Sequence, residues 1–363
     1  MTTTVPAHPA GTFNRSDRII VGGGVVLVAL AGITHYVGGG PVLAFLCSAL
    51  AVTVLAALVG RCVEQLGDRF GPGATGVLQS ALGNLPELFI GLFALKAGLI
   101  QVVQAALIGS ILANLLLVLG LCFVAGGVKY GTQQLDSRRA RGIIVLLVLA
   151  VSAMVVPSLA SYVHAPAAGH ENTLSLIVAV VLLALFLLQL PASLRKSDAA
   201  EDAKTKSEPA RWSLPLAIGL LAAASAAAAF VSDWFVAALQ PAMDSLHISQ
   251  VFAGLVVVAI AGNAIENVVG IQLSRAGRSE YAFSVVINSP LQIALVLVPV
   301  LVILSQVLGF ATLTLVFSPM LVISMVVAVI ITAFVTFDGE SDWMEGVALI
   351  AVYFIIAAAF WWG

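Results

Sequence analysis

Charged residues are scarce in this chain of 363 residues. Lys and Arg number 16 and Asp and Glu 18, so only 9% of the sequence is charged, whereas about a quarter of a soluble globular domain is charged. Hydrophobic residues make up 61%, and the mean hydropathy is +1.10. The few, dispersed basic residues give no cationic surface of the kind that binds nucleic acid. The composition indicates an all-α polytopic membrane protein whose immediate partner is the lipid bilayer.

Motifs of enzymes and of tightly bound cofactors are also lacking. The three cysteines, Cys47, Cys62 and Cys122, lie in or beside apolar runs without CxxC spacing, and we interpret them as small buried side chains. The five histidines are scattered, and neither an HExxH pair nor a P-loop sequence occurs. These absences argue against an intramembrane enzyme and predict no bound cofactor.

Long apolar runs fill most of the chain. A helical span needs roughly 20 apolar residues, and that criterion gives eleven candidate spans. They cover approximately residues 19–36, 41–63, 74–96, 100–125, 142–162, 172–192, 213–236, 249–273, 280–305, 310–335 and 343–362. The charged segment 193–212 between the sixth and seventh spans is predicted to be a solvated linker or a short amphipathic helix.

The basic residues give these spans a direction. If the N-terminus is cytoplasmic and the chain alternates sides through eleven spans, fifteen of the sixteen Lys and Arg residues fall on the cytoplasmic side. Only Lys96 falls outside. Because cytoplasmic loops carry an excess of basic residues, the sequence predicts a cytoplasmic N-terminus and an external C-terminus.

An internal repeat relates the two halves of the chain. Residues 83–121 align without a gap with residues 262–300, a shift of 179, and ten of the thirty-nine positions are identical, including Asn, Glu and Ser. Because five spans separate the copies, the repeats are inverted, which is a pattern of secondary transporters. We therefore divide the chain into a tail with the first span (1–40), a first five-helix repeat (41–192), the linker (193–212) and a second five-helix repeat (213–363).

Each copy carries the motif GNxxE within an apolar span. Asn84 and Glu87 in the first copy, and Asn263 and Glu266 in the second, are three residues apart and share one helical face. The Gly before each Asn, and Pro86 in the first copy, favour a broken helix whose freed carbonyls can line a cavity. Ionisable side chains at such depth are expensive and usually mark an ion pathway.

The aligned polar residues predict one all-oxygen site between the repeats. Cation and proton binding is predicted for Glu87, Glu266, Asn84, Asn263, Ser110 and Ser289, of which the two Glu and two Asn are the expected metal ligands. Supporting or cavity-lining roles are predicted for Gly83, Gly262, Asn114, Asn267, Asn288 and Gln292. Such an oxygen set suits a hard divalent cation, for instance Ca²⁺. Two carboxylates in one dry site let protons and the cation compete for the same oxygens, which would couple their movements.

Other roles for these polar residues stay open. The carboxylates could be structural groups that are hydrogen-bonded across helices, the Asn side chains could hold helices together, and the Ser side chains could merely permit close packing. A passive channel is a further reading, although the inverted repeat argues against it.

The segments GNLPELFIGLFALKAGLIQVVQAALIGSILANLLLVLG, GNAIENVVG and INSPLQIAL resemble the paired signature repeats of calcium/proton exchangers in the calcium:cation antiporter superfamily. The resemblance covers spans two to eleven. It implies an antiporter of eleven helices, one additional N-terminal helix and two inverted five-helix repeats, that exchanges Ca²⁺ for H⁺ by alternating access. It also implies that the cation is held between spans three and eight by Glu87 and Glu266. Two acids near the inner end of span two, Glu64 and Asp68, match family acids and imply an access or gating site.

One departure keeps a second function open. Family members often have His directly after the second Glu, whereas this chain has Asn267. His titrates near neutrality, so its replacement could change the cation preference. The alternative is therefore an antiporter of the same fold that exchanges Na⁺, K⁺ or another divalent cation for H⁺. The compact loops favour a prokaryotic plasma membrane.

Overall fold

The computed structural model describes residues 13–70, 82–201 and 211–362, and within these ranges it leaves the side chains of 68–70, 137–139, 190–201 and 264–266 undescribed. The described chain is almost entirely helical. In chain order the α-helices are α1 (Arg15–Tyr36), α2 (Pro41–Phe70), α3 (Leu85–Lys96), α4 (Ile100–Leu112), α5 (Leu119–Tyr130), α6 (Ser137–Tyr162), α7 (Glu171–Glu201), α8 (Leu214–Leu246), α9 (Gln250–Phe252), α10 (Ala259–Gly262), α11 (Ala264–Arg275), α12 (Ser279–Gln292), α13 (Val298–Val307), α14 (Pro319–Val335) and α15 (Trp343–Ala359).

Three π-helical turns run continuously between α-helices. They connect α4 to α5 (Ala113–Val118), α9 to α10 (Ala253–Val258) and α12 to α13 (Ile293–Leu297). When each turn is counted with its flanking helices, the described residues form twelve continuous helices. Such turns are rare and often lie at functional sites. The first and third turns occupy equivalent positions of the two sequence repeats.

The molecule is an all-α polytopic membrane protein. Among the described residues, seven helices are long and apolar enough to cross a bilayer. An eighth span is formed if the segments Gln250–Gly262 and Asn267–Arg275, which are inclined by 58°, are counted together. The helices α14 and α15 are apolar but have only 17 residues each.

Several helix boundaries differ from the sequence prediction; α2 and α8, for example, continue to Phe70 and Leu246, beyond the predicted ends at 63 and 236. The tenth span was placed from residue 310, but α14 begins at Pro319 because Pro is favoured at a first helical turn and Ser318 caps it. The preceding residues are extended, and side chains bind their backbone: Ser158 Oγ donates to Leu315 O at 2.8 Å, and Leu315 N donates to Ser175 Oγ at 2.9 Å. Helix α7 continues to Glu201, so part of the segment predicted as a linker is helical.

A short pair of strands joins distant parts of the chain. The strands β1 (Gln133–Gln134) and β2 (Glu340–Ser341) are antiparallel. Nearby, Lys129 Nζ and Tyr130 OH both donate to the carbonyl of Arg275, at 2.9 and 3.1 Å. These contacts tie the end of α5 to the end of α11 and to the loop before α15.

Apolar packing divides the described residues into two clusters. The larger one fills the centre of the bundle and includes one half of α2, with Phe45 and Leu55, and the adjoining part of α8, with Phe235. The smaller one is separate and joins the other half of α2 to Trp212 and the start of α8. Among the described residues, the two ends of α2 and of α8 therefore belong to different apolar clusters.

Candidate cation site

Two helix breaks with the same backbone conformation define the centre of the site. Asn84 precedes α3 with φ −94° and ψ 16°, and Asn263 precedes α11 with φ −95° and ψ 15°. In both, the carbonyl of the Asn still accepts a hydrogen bond from the backbone N–H four residues later, at 2.9 and 3.2 Å. The GNxxE motif therefore produces the same local turn in both halves of the chain.

A close crossing brings α4 against the second broken helix. A Cβ atom at Gly109 would lie 2.2 Å from the carbonyl oxygen of Leu255, and a Cβ at Gly254 would lie 2.4 Å from that of Val102. Only glycine permits this approach. As a result Ser110, the next residue of α4, lies beside Asn263.

Asn263 lies at the centre of the hydrogen-bond network and is 1% exposed. Its Nδ2 donates to Glu87 Oε1 and to Ser110 Oγ, both at 2.8 Å, and to the carbonyl of Ala259 at 2.9 Å. Ser110 Oγ is also 3.4 Å from Glu87 Oε1 as a donor. One carboxylate, one hydroxyl and one backbone carbonyl thus converge on a single point.

Asn114, which is completely buried, completes the network from the π turn after α4. Its Nδ2 donates to Asn263 Oδ1 at 2.8 Å, to the carbonyl of Ser110 at 2.9 Å and to Ser289 Oγ at 3.3 Å. Ser289 Oγ in turn donates to Asn263 Oδ1 at 3.3 Å. Five side chains from α3, α4, α12, the first π turn and the break before α11 therefore meet in one place.

Gly262 and an apolar cleft shape the space around Glu87. A Cβ at Gly262 would lie 2.7 Å from Glu87 Oε1, so this position requires glycine for contact with the carboxylate. Glu87 and Ser110 also lie at a cleft with about 400 Å³ of empty space. The remaining lining residues are all apolar, among them Ile90, Leu107 and Leu301.

The structure brings together six of the predicted site residues: Glu87, Ser110, Asn114, Gly262, Asn263 and Ser289. Asn84 is half-buried at the other break, and within the described part of the chain its Nδ2 has no hydrogen-bond partner. The same holds for Asn267 Oδ1. Asn288 instead donates to the carbonyl of Ser284 at 2.7 Å.

Of the remaining predicted residues, Gly83 and Gln292 are described, whereas the side chains of Glu266 and Asp68 are not. Gly83 adjoins Asn84, and Gln292 is half-buried at the end of α12. Glu266 belongs to α11, but its side chain lies outside the described residues, as does that of Asp68.

Glu64 lies in a separate ion-pair group near the end of α2. Its carboxylate is 2.6 Å from Arg61 Nη1, and Arg61 Nε is 3.3 Å from the buried carboxylate of Asp17 in α1. The pair of Arg61 with Glu64 is exposed, and exposed pairs contribute little to stability. The position of these ion pairs links α1 to α2 away from the Glu87 network.

Sequence analysis did not identify the carbonyl of Ala259 or the crossing at Gly109 and Gly254. A backbone oxygen has no signature in the sequence, whereas the two glycines could have been noted as possible close contacts. Sequence analysis did identify Asn114, but as a residue lining the cavity rather than one bonded to both repeats.

The chemistry of the network suits a hard cation. Its oxygens come from a carboxylate, hydroxyls, amides and a backbone carbonyl, which are the ligand types of Ca²⁺. Among the described residues no group of three or more His, Cys, Asp and Glu side chains occurs that could hold a metal. The oxygens that the structure describes in this network are those of Glu87 and of neutral groups.

Comparison with known proteins gives consistent similarities over nearly the whole chain. A family model described as sodium/calcium exchanger protein matches residues 40–194 and 216–362. The chain is 34% identical to a Ca²⁺/H⁺ antiporter of Synechocystis, covering 93% of this chain and 95% of the relative. It is also 34% identical to the Ca²⁺/H⁺ antiporter ChaA of Bacillus subtilis, covering 96% and 99%.

Solved structures show the same fold. The structure of native YfkE superposes with a TM-score of 0.79 at 32% identity, covering 94% of this chain and 98% of that one. An H⁺/Ca²⁺ exchanger named CAX superposes with a TM-score of 0.71 at 18% identity, covering 94% and 92%. The helical arrangement described above is therefore that of a known group of membrane proteins.

Proposed function

The chain belongs to the Ca²⁺/H⁺ antiporter family within the sodium/calcium exchanger proteins, and from this premise we propose that it exchanges Ca²⁺ for H⁺ at a site formed by Glu87 and Glu266. The observation that carries the proposal is the meeting of Glu87, Ser110 and Asn263 at 2.8 to 3.4 Å. These residues come from different sequence repeats. Asn84 and Ser289 are the corresponding residues of the other half.

Glu266 is assigned to the site through the repeat. It follows Asn263 at the spacing at which Glu87 follows Asn84, and the two Asn residues share one backbone conformation. When two helices start from the same turn, residues three positions after the Asn project in the same direction from each helix. We therefore assign Glu266 as the second carboxylate and Asn84 and Asn263 as further ligands.

Competition for the same oxygens couples the two ions. A divalent cation binds to ionised carboxylates, and protons remove that charge when they bind. If the site opens to one side when it holds the cation and to the other when it holds protons, each ion drives the other across the membrane. The broken helices at the site are typical of transporters that work by alternating access.

We also propose eleven spans, one N-terminal helix followed by two inverted five-helix repeats. Seven helices qualify by length and composition, and the bent pair, α14, α15 and the helix that ends at Lys96 supply the other four. Contacts between span ends support this count, because they join ends assigned to the same side. Tyr130 bonds to Arg275 on the predicted cytoplasmic side, and Ser249 Oγ donates to Phe360 O on the predicted outer side.

The proposed topology has a direct test. A single cysteine at Lys96 should react with a membrane-impermeant thiol reagent in intact cells, whereas one at Arg139 should react only after the cytoplasmic side is opened. The three native cysteines are free and must be replaced first. The reverse labelling pattern would contradict the cytoplasmic N-terminus. We also propose that the membrane is a prokaryotic plasma membrane.

A second candidate cation is favoured by one residue. Asn267 directly follows Glu266, and its Oδ1 is a buried oxygen without a partner among the described residues. An extra neutral oxygen could admit Na⁺, K⁺ or another divalent cation in exchange for H⁺.

Transport by the purified protein decides between these cations. Proteoliposomes with an imposed pH gradient should accumulate radioactive Ca²⁺, and dissipating the gradient should stop the uptake. Unlabelled Ca²⁺ should compete most strongly, ahead of Mn²⁺, Na⁺ and K⁺. Proton flux that responds to Na⁺ or K⁺ but not to Ca²⁺ would replace the proposed function by the second candidate.

A further inference from the structure

The amide nitrogen of Asn263 stands where three oxygens converge. Its partners are Glu87 Oε1, Ser110 Oγ and the carbonyl of Ala259, at 2.8, 2.8 and 2.9 Å. Oxygens bind Ca²⁺ at about 2.3–2.6 Å, so a contraction of a few tenths of an ångström would give three ligand distances. The three acceptors of this nitrogen are therefore oxygens that a cation at the same position would need as ligands.

Two backbone carbonyls fix which way the amides point. The carbonyl of Ala259 can only accept, so the atom of Asn263 beside it is the NH₂ group. The carbonyl of Ser110 likewise requires the NH₂ of Asn114 at its side. That NH₂ also donates to Asn263 Oδ1 at 2.8 Å. The hydrogen bonds therefore run in one direction: Asn114 donates to Asn263, and Asn263 donates to Glu87.

We propose that the side-chain amide of Asn263 competes with the transported cation for Glu87 Oε1, Ser110 Oγ and the carbonyl of Ala259, and that Asn114 is the positioning residue that holds Asn263 in the competing orientation. To offer its own oxygen to a cation, Asn263 must turn, and Asn114 Nδ2 then loses its acceptor. The hydrogen bond between the two amides therefore opposes cation binding. This inference rests on the proposed role of Glu87.

The sequence repeat indicates that a hydrogen bond like that from Asn114 to Asn263 occurs in one half of the site. The position equivalent to Asn114 in the second repeat is Ile293, which is also completely buried. An aliphatic residue there cannot donate a hydrogen bond to Asn84 Oδ1 as Asn114 does to Asn263 Oδ1. The equivalent position thus supplies a natural substitution: Asn114→Ile copies the second repeat, and Asn114→Val is a smaller alternative.

Equilibrium Ca²⁺ binding to the purified full-length protein tests the inference. Asn114→Val and Asn114→Ile should each lower the Kd for Ca²⁺ by roughly 3- to 10-fold, the effect of removing one buried neutral hydrogen bond that opposes binding. General damage to the site would raise the Kd instead. Leu115→Val, which alters packing at the next fully buried position of the same turn, should leave the Kd unchanged.

The outcomes separate this inference from the proposed function. If Glu87→Gln abolishes binding and either variant of Asn114 binds more tightly, both stand. If Glu87→Gln abolishes binding but both variants of Asn114 bind equally or more weakly, Asn114 does not oppose the cation and the inference is wrong. If Glu87→Gln binds as the unmodified protein does, the proposed site itself is wrong.

Discussion

The two helix breaks, at Asn84 and at Asn263, share a backbone conformation but not an environment. Asn263 is buried and makes hydrogen bonds to Glu87, Ser110 and Asn114, whereas Asn84 is half-buried and its Nδ2 has no partner among the described residues. The motif therefore determines the turn, and the neighbouring helices determine what the Asn side chain does. Among the described residues, the two copies of the motif therefore have the same turn but different side-chain contacts.

The apolar packing has the same inequality. One end of α2 and α8 belongs to the main cluster, and the other end forms a separate cluster around Trp212. Under the proposed topology the separate cluster is cytoplasmic.

Among substitutions that keep both carboxylates, the largest effect is expected from Gly262→Ala. The added Cβ would lie 2.7 Å from Glu87 Oε1 and 2.8 Å from its Cγ, and the carboxylate must leave Asn263 and Ser110 to avoid it. Exchange of Ca²⁺ for H⁺ in proteoliposomes should fall by about 100-fold, because the displaced carboxylate is the proposed ligand and each loss of about 1.4 kcal/mol in cation binding is a factor of ten. Gly219→Ala in α8 is the control, because its Cβ would have nothing within 4 Å. Equal activity of the two variants would contradict the contact.

The next effect compares the two Asn residues directly. Asn263→Ala removes several buried hydrogen bonds and should lower the free energy of unfolding by about 2–3 kcal/mol, whereas Asn84→Ala should lower it by less than about 1 kcal/mol. Denaturant titration of the purified protein gives both values. If Asn84→Ala were the more destabilising, the inequality between the half-sites would be wrong.

The smallest effect concerns the two equivalent Ser residues. Ser110 accepts from Asn263 at 2.8 Å and lies next to Glu87, whereas the bonds of Ser289 are 3.3 Å long. Ser110→Ala should raise the Ca²⁺ concentration for half-maximal exchange by about 5-fold, and Ser289→Ala by about 2-fold. Equal shifts would indicate that both serines contact the cation in the same way during transport.

The sequence predicted the parts of this structure that depend on short-range chemistry. The break at each GNxxE motif follows from Gly and Asn at a helix start, and the apolar runs place helices such as α6 and α15 within a few residues of their predicted spans. The meeting of Glu87 with Asn263 followed from the repeat, since an inverted copy must face the first.

Other features depend on distant contacts. The non-helical residues before Pro319 look like the start of an apolar span, and side chains of other helices, among them Gln104, Ser158 and Ser175, bind their backbone. The direction of each amide in the network depends on the carbonyls of Ser110 and Ala259, and these leave no trace in the sequence. Side-chain partners across helices are therefore what sequence analysis could not supply.

The central claim is that Glu87 and Glu266 bind the cation and the protons in turn. The most direct measurement is Ca²⁺ uptake driven by a pH gradient in proteoliposomes that contain Glu87→Gln, Glu266→Gln or the unmodified protein. Both substitutions should abolish uptake and, in the same vesicles, Ca²⁺-driven proton movement, because Gln keeps the shape of Glu but neither ionises nor carries the proton. Uptake by either variant at the rate of the unmodified protein would contradict the account.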